Sequence, residues 1–89
     1  MEVITNTERI AGTISFTEAE ILQEIAKVLP AEGGIIVLSR ITPHRAKAVD
    51  LLTKLNAAGL LETRSLGMKG TYIKVLHQEA FKDLVRRVS

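Results

Sequence analysis

Arg64-Ser-Leu-Gly-Met-Lys-Gly-Thr-Tyr-Ile-Lys-Val-Leu76 sets two glycines, Gly67 and Gly70, around Met68 and Lys69 and then returns to an alternating pattern. Glycine accepts the positive φ angles that other residues resist, so the stretch reads as a tight, exposed hairpin with a basic tip. Its outgoing strand alternates Thr71, Ile73 and Val75 with Tyr72, Lys74 and Leu76. Its incoming strand is Leu60 to Arg64. Just upstream a helix stops at Ala58, with Gly59 placed as a left-handed cap.

That helix has a start signal at Thr42-Pro43. Threonine is an N-cap residue, and proline at the first helical position loses no hydrogen bond. The helix so predicted covers 42–58. At about 100° per residue, Ala48, Leu51, Leu52 and Leu55 fall on one face, and Ala46, Lys47, Asp50, Thr53 and Lys54 fall opposite. Before it, Ile35-Ile-Val-Leu38 is a continuous apolar run, either a buried strand or the first turns of a short helix; periodicity does not separate the two.

Further out, Ser15-Phe-Thr-Glu18 has the form of a capping box, with Thr17 and Glu20 as a second register. Ile21, Leu22, Ile25, Val28 and Leu29 then follow helical spacing, and Pro30 with Gly33-Gly34 ends the run, which predicts a helix over 17–29. Residues 1–14 are weakly patterned. Val3, Ile4, Ile10 and Ile14 fit a short strand or an arm, with Gly12 breaking any helix. At the other end, Glu79 to Val88 carries an apolar stripe of Phe81, Leu84, Val85 and Val88 and a polar face of Lys82, Arg86 and Arg87.

Helix, strand, basic glycine turn and strand, in that order, compose a winged helix-turn-helix. The expected class is α+β, with three or four helices and a two- or three-stranded antiparallel wing. At 89 residues the chain is one domain, divided here into an arm, 1–14, and a body, 15–89. There is no cysteine, and the two histidines, His44 and His77, lie far apart, so neither a disulfide nor a metal site is expected. No apolar run approaches the ~20 residues of a membrane span, and the N-terminus lacks a basic-then-apolar leader; a cytoplasmic location is expected. The net charge of +2 conceals a split. Residues 1–39 hold two basic and six acidic residues, a sum of −4, and residues 40–89 hold ten basic and four acidic, a sum of +6. One polyanion-facing side produces such an asymmetry, and so does an ordinary solvated surface.

From Gly34 to about Leu76 the chain resembles the C-terminal DNA-binding domain of the CodY family of bacterial global repressors. The wing string Arg64–Leu76 and Lys54-Leu-Asn-Ala-Ala-Gly-Leu-Leu-Glu62 carry the resemblance, and Ser15-Phe-Thr-Glu-Ala-Glu20 resembles the helix that opens that domain. The resemblance implies a DNA-binding transcriptional regulator that acts as a dimer on double-stranded operator DNA. It places the N-terminal part of the 42–58 helix in the major groove, which makes Thr42, His44, Arg45, Ala46, Lys47 and Asp50 the candidate contacts. Two departures stand out. The first helix of the motif is short by about one turn, truncated or replaced by an extended segment. Ala46 and Asp50 stand where the family has small polar residues. No counterpart of the family's amino-acid- and GTP-sensing domain is seen in this sequence, so no small-molecule effector is expected.

The chemistry of these residues suits that role. Arg45 matches guanine O6 and N7 with two parallel donors, and Lys47 suits a base or a phosphate. The helix start, Thr42 to Arg45, offers free amides to a phosphate. Asp50 either accepts from cytosine N4 or pairs with Lys47 or Lys54. On the wing, about 64–71, Arg64, Ser65, Lys69 and Gly70, with Lys74 beyond, face the backbone or minor groove, and Lys69 is the best placed. Met68 is expected to pack back on the hairpin, His44 to be a helix-start or core histidine, and Tyr72 to be a packing residue. There is no nucleophile elbow and no Lys-Ser/Thr phosphate loop, so an enzyme is not expected, and no cofactor is. The competing possibility is a protein-interaction or dimerisation module with a winged-helix shape. The interface of a homodimer is left open among the 17–29 helix, the arm and the C-terminal helix.

Overall fold

The computed structural model describes residues 2–89, with side chains described from Thr7 onward. In chain order the elements are α1 (Glu2–Thr13), α2 (Phe16–Val28), β1 (Gly33–Ile36), α3 (Leu38–Ile41), α4 (Arg45–Ala57), β2 (Leu61–Ser65), β3 (Thr71–Val75) and α5 (Gln78–Arg87). A 3-10 turn over Gly67–Lys69 joins β2 to β3. This is an α+β winged helix-turn-helix, with α2, α3 and α4 as the helical body and the β2–β3 hairpin as the wing.

Local chemistry explains the element borders. Ser15 caps α2 with the box predicted for it: Glu18 N–H donates to Ser15 Oγ at 3.2 Å, and Ser15 N–H donates to Glu18 Oε1 at 2.9 Å. Leu29 is extended, as a residue before proline prefers to be, and α2 stops there. At the end of α4, Gly59 has φ +80. Leu60 N–H donates to Leu55 O and Gly59 N–H to Asn56 O, both at 3.0 Å, which closes a Schellman motif. The run Ile35–Leu38 resolves into both of its readings: Ile35 and Ile36 end β1, and Leu38 begins α3.

The three strands are antiparallel in the order β1-β3-β2, with Ile35 opposite Tyr72 and Tyr72 opposite Arg64. One sheet face buries Ile36, Leu61, Ile73 and Val75 against the helices. Leu22, Ile25, Leu51, Leu55, Leu60 and Leu84 are fully buried and complete an aliphatic core.

The N-terminal segment differs from expectation. Residues read as a strand or arm form α1, which packs along α5. Gly12 does not break this helix. It sits one residue from the C-terminal end, exposed, where the cost of a helical glycine, about 1 kcal/mol, is met by burial of Ile10 and partial burial of Ala11. The side chains of Val3 and Ile4 lie outside the described residues. Among the described residues no helix is long and apolar enough to cross a membrane.

Candidate nucleic-acid interface

The motif turn is compact. α3 is a single turn, so the first motif helix is truncated rather than replaced by extended chain. Thr42 N–H donates to Leu38 O at 3.0 Å and closes it. Thr42 is therefore the C-cap of α3, not the N-cap of α4. Its backbone is extended (φ −152, ψ 146), because the following proline disfavours the helical region. Its buried hydroxyl accepts from His44 N–H at 3.0 Å, which holds the turn. Consequently α4 begins at Arg45, two residues later than Thr42-Pro43 suggests. His44 takes the N-cap position but makes no side-chain cap bond, and it is exposed rather than packed.

The buried stripe of α4 is Ala48, Leu51, Leu52 and Leu55, as the helical wheel predicts. The exposed side divides in three. Ala46, Asp50, Thr53 and Ala57 form the crest, farthest from the core. Arg45, Val49 and Asn56 line the edge facing the wing, across a groove from Thr63, Ser65 and Thr71. Lys47 and Lys54 lie on the opposite edge, beside Gly12–Ser15 and Glu18. The crest is small or acidic, and the cations flank it.

Lys54 is not a free surface cation and does not pair with Asp50. Its Nζ donates to Glu18 Oε1 at 2.8 Å and to Thr13 O at 2.7 Å. The Glu18 side chain is only 4% exposed and that of Lys54 35% exposed. Burial pushes the Glu18 carboxyl up, but hydrogen bonds from Lys54 and Ser15 outweigh it and hold its pKa below the usual value. The pair ties the α1–α2 junction to the last turns of α4 and sets how α4 sits on α2.

The wing tip is held by its own backbone: Leu66 N–H donates to Gly70 O at 2.8 Å and Gly70 N–H to Gly67 O at 3.1 Å. Gly67 has φ +66 and Gly70 φ +113. A Cβ on Gly70 would collide with the carbonyl oxygen of Ile36, so that glycine lets the wing lie close against the end of β1. Ser65 Oγ accepts from Gly67 N–H at 3.4 Å. Met68 is fully exposed; it does not pack back on the hairpin. Lys69 is exposed beside it, and Arg64 and Lys74 are exposed on the outer sheet face, Lys74 opposite Glu62. Tyr72 lies on the same face between Ile35 and Arg64, partly exposed.

Ion pairing sorts the basic residues of the C-terminal half. Arg86 and Arg87 pair with Asp83 at 3.1 and 2.8 Å, and Lys54 pairs with Glu18. Among the described residues, Arg40, Arg45, Lys47, Arg64, Lys69, Lys74 and Lys82 take part in none of the ion pairs. Of the predicted contact residues, His44, Arg45, Ala46, Lys47 and Asp50 share the exposed side of α4 and its N-terminus, and Arg64, Ser65, Lys69 and Gly70 share the wing. Thr42 is turned inward. Val49 and Asn56 on the wing-side edge went unassigned in the sequence. The helical wheel was signal enough for both, since neither belongs to the buried stripe.

A family model described as the CodY helix-turn-helix domain matches residues 31–87. Similar proteins include the global transcriptional regulator CodY of Brevibacillus brevis, 40% identical over 77 residues, which cover 82% of this chain and 30% of that protein. The protein of the same name from Bacillus mycoides is 40% identical over 79 residues, covering 84% of this chain and 30% of its own. That from Clostridium perfringens strain SM101 is 39% identical over 77 residues, covering 82% and 30%. The chain thus spans about 30% of the length of the curated relatives it matches.

Proposed function

The chain belongs to the CodY helix-turn-helix domain family, and from that membership we propose that it is a DNA-binding transcriptional regulator. In this reading the N-terminal half of α4 enters the major groove and the wing lies on the phosphate backbone or in the minor groove. The observation that carries it is the grouping of unpaired cations: Arg45 and Lys47 on α4 and Arg64 and Lys69 on the wing take no part in the ion pairs, as Arg40 and Lys82 elsewhere also do not, whereas Lys54, Arg86 and Arg87 are paired with carboxylates. Free cations on one helix and one hairpin are what neutralises phosphates on association. The name of the relatives, global transcriptional regulator, supports the regulatory role, and the resemblance supports repression.

Within this reading the roles divide. Arg45 reads a guanine edge and Lys47 a base or phosphate. The amides of the first turn of α4, which no side chain caps, donate to a phosphate. Lys69 and Arg64 contact the backbone, Gly70 and Ser65 shape the wing, and Lys74 supports it from the outer face. Thr42 positions His44 and the helix start without contacting DNA. Residues 15–89 form the binding body, with α1 as an element docked on α5. Two copies on the two halves of a symmetric site complete the assembly, in the cytoplasm.

A second reading has one observation in its favour. Asp50 stands on the crest of α4 among small residues, with no ion-pair partner among the described residues, and a crest carboxylate repels phosphate. A winged-helix protein-interaction module accounts for that crest. The test is a fluorescence-anisotropy titration with mixed-sequence duplexes at low salt. The DNA reading predicts saturable binding that weakens steeply as salt rises. Absence of binding at micromolar protein would favour the interaction module.

A further inference from the structure

Val49 has no part in the core of α4. That stripe is filled by Ala48, Leu51, Leu52 and Leu55, while Val49 is 43% exposed. Nor does helix formation ask for valine at an exposed position, where β-branching lowers helix propensity. Its place is specific: one turn after Arg45, on the same wing-side edge of the helix, at the groove it shares with the hydroxyls of Ser65 and Thr71.

We propose that Val49 is a specificity-determining residue whose isopropyl group packs against the 5-methyl group of a thymine one or two base pairs from the base read by Arg45. The inference rests on the DNA-binding reading and deepens it. The thymine methyl is the one apolar feature that a base edge presents in the major groove. An aliphatic side chain makes no hydrogen bond, so it favours that methyl and leaves the amino group of a cytosine unpaired. In a helix, valine holds almost a single χ1 rotamer, so it meets the base with little freedom to lose. Residues at i and i+4 stand about 5–6 Å apart, against a rise of about 3.4 Å per base pair, which sets the spacing of the two bases read. The crest beside it, Ala46 and Asp50, carries short side chains, so α4 can lie deep enough for Val49 to reach the base edge.

The test uses the whole chain and duplexes that it selects from a random-sequence library. Each thymine of a selected duplex is replaced in turn by uracil, which removes the 5-methyl and nothing else. For the wild type, one such replacement per half-site should weaken binding about fourfold, the worth of one buried methyl group. Val49→Ala, which favours the helix and so folds, should bind the parent duplex more weakly and be indifferent to that same replacement. Equal sensitivity in the variant, or a wild type indifferent to every uracil, would overturn the assignment while leaving DNA binding intact. Failure to select any duplex would instead overturn the DNA-binding reading, and this inference with it.

Discussion

Arg45 and Lys69 are both exposed cations outside the ion pairs, yet they should fail differently. In the proposed complex Arg45 makes a bidentate base contact, so Arg45→Ala should cost about 1–3 kcal/mol on a selected site and relax the preference at one position. Lys69 in the same proposal contacts a phosphate, so Lys69→Ala should weaken binding to all duplexes alike and lower the salt slope by about 1. Lys54 is the contrast. Lys54→Ala strands the buried Glu18 carboxylate and should destabilise the fold by about 1–3 kcal/mol in urea denaturation, with the salt slope of DNA binding unchanged. The position of Lys54 on the polar side of its helix was legible in the sequence. Its partner was not, because Glu18 lies 36 residues away and only the packing of α2 on α4 brings them together. Thr42 misled for a related reason. A Thr-Pro pair is an N-cap signal in isolation, but here the threonine hydroxyl accepts from His44 N–H within the turn, and the helical hydrogen bonds begin at the His44 carbonyl.

At the scale of elements the wing was the most legible part, because its glycines carry conformational information that other residues cannot. The two differ in kind. Gly67 faces open space at a φ of +66, which alanine adopts at a cost of about 1–2 kcal/mol. Gly70, at +113, is hemmed in by the Ile36 carbonyl. Thermal denaturation should show Gly70→Ala far more destabilised than Gly67→Ala. The seam between α1 and α5 was not legible, since short apolar spacing and a glycine suit several structures and only the partner helix decides. Asp83 sits at this seam, accepting from Arg87 at 2.8 Å, Arg86 at 3.1 Å and Thr7 at 2.9 Å. Those hydrogen bonds, that of Arg87 foremost, lower its pKa to about 2. A carboxylate lowered in the folded state adds stability above its unfolded pKa, about 3.9, and loses it on acidification through the folded value. Stability should therefore fall between about pH 4 and pH 2, and Asp83→Asn should flatten that part of the profile.

Taken whole, and among the described residues, the molecule groups Arg45, Lys47, Arg64, Lys69 and Lys74 outside the ion pairs on α4 and the wing, with Arg9, Arg40 and Lys82 also outside them elsewhere, and pairs the rest at the α1–α5 seam, the α2–α4 contact and within α2. The charge split seen in sequence is thus partly internal pairing and partly an outward-facing field, a division that composition alone does not make. Two such domains on a symmetric site would double the phosphate contacts, and a mass measurement in solution with and without duplex should show a 2:1 complex. The most direct test of the interface itself is an amide chemical-shift titration of the whole chain with a mixed-sequence duplex at low salt. Shifts concentrated at 44–50 and 64–70, with the α5 amides unmoved, are the predicted result. Shifts confined to α2 and α5, with α4 and the wing silent, would contradict it.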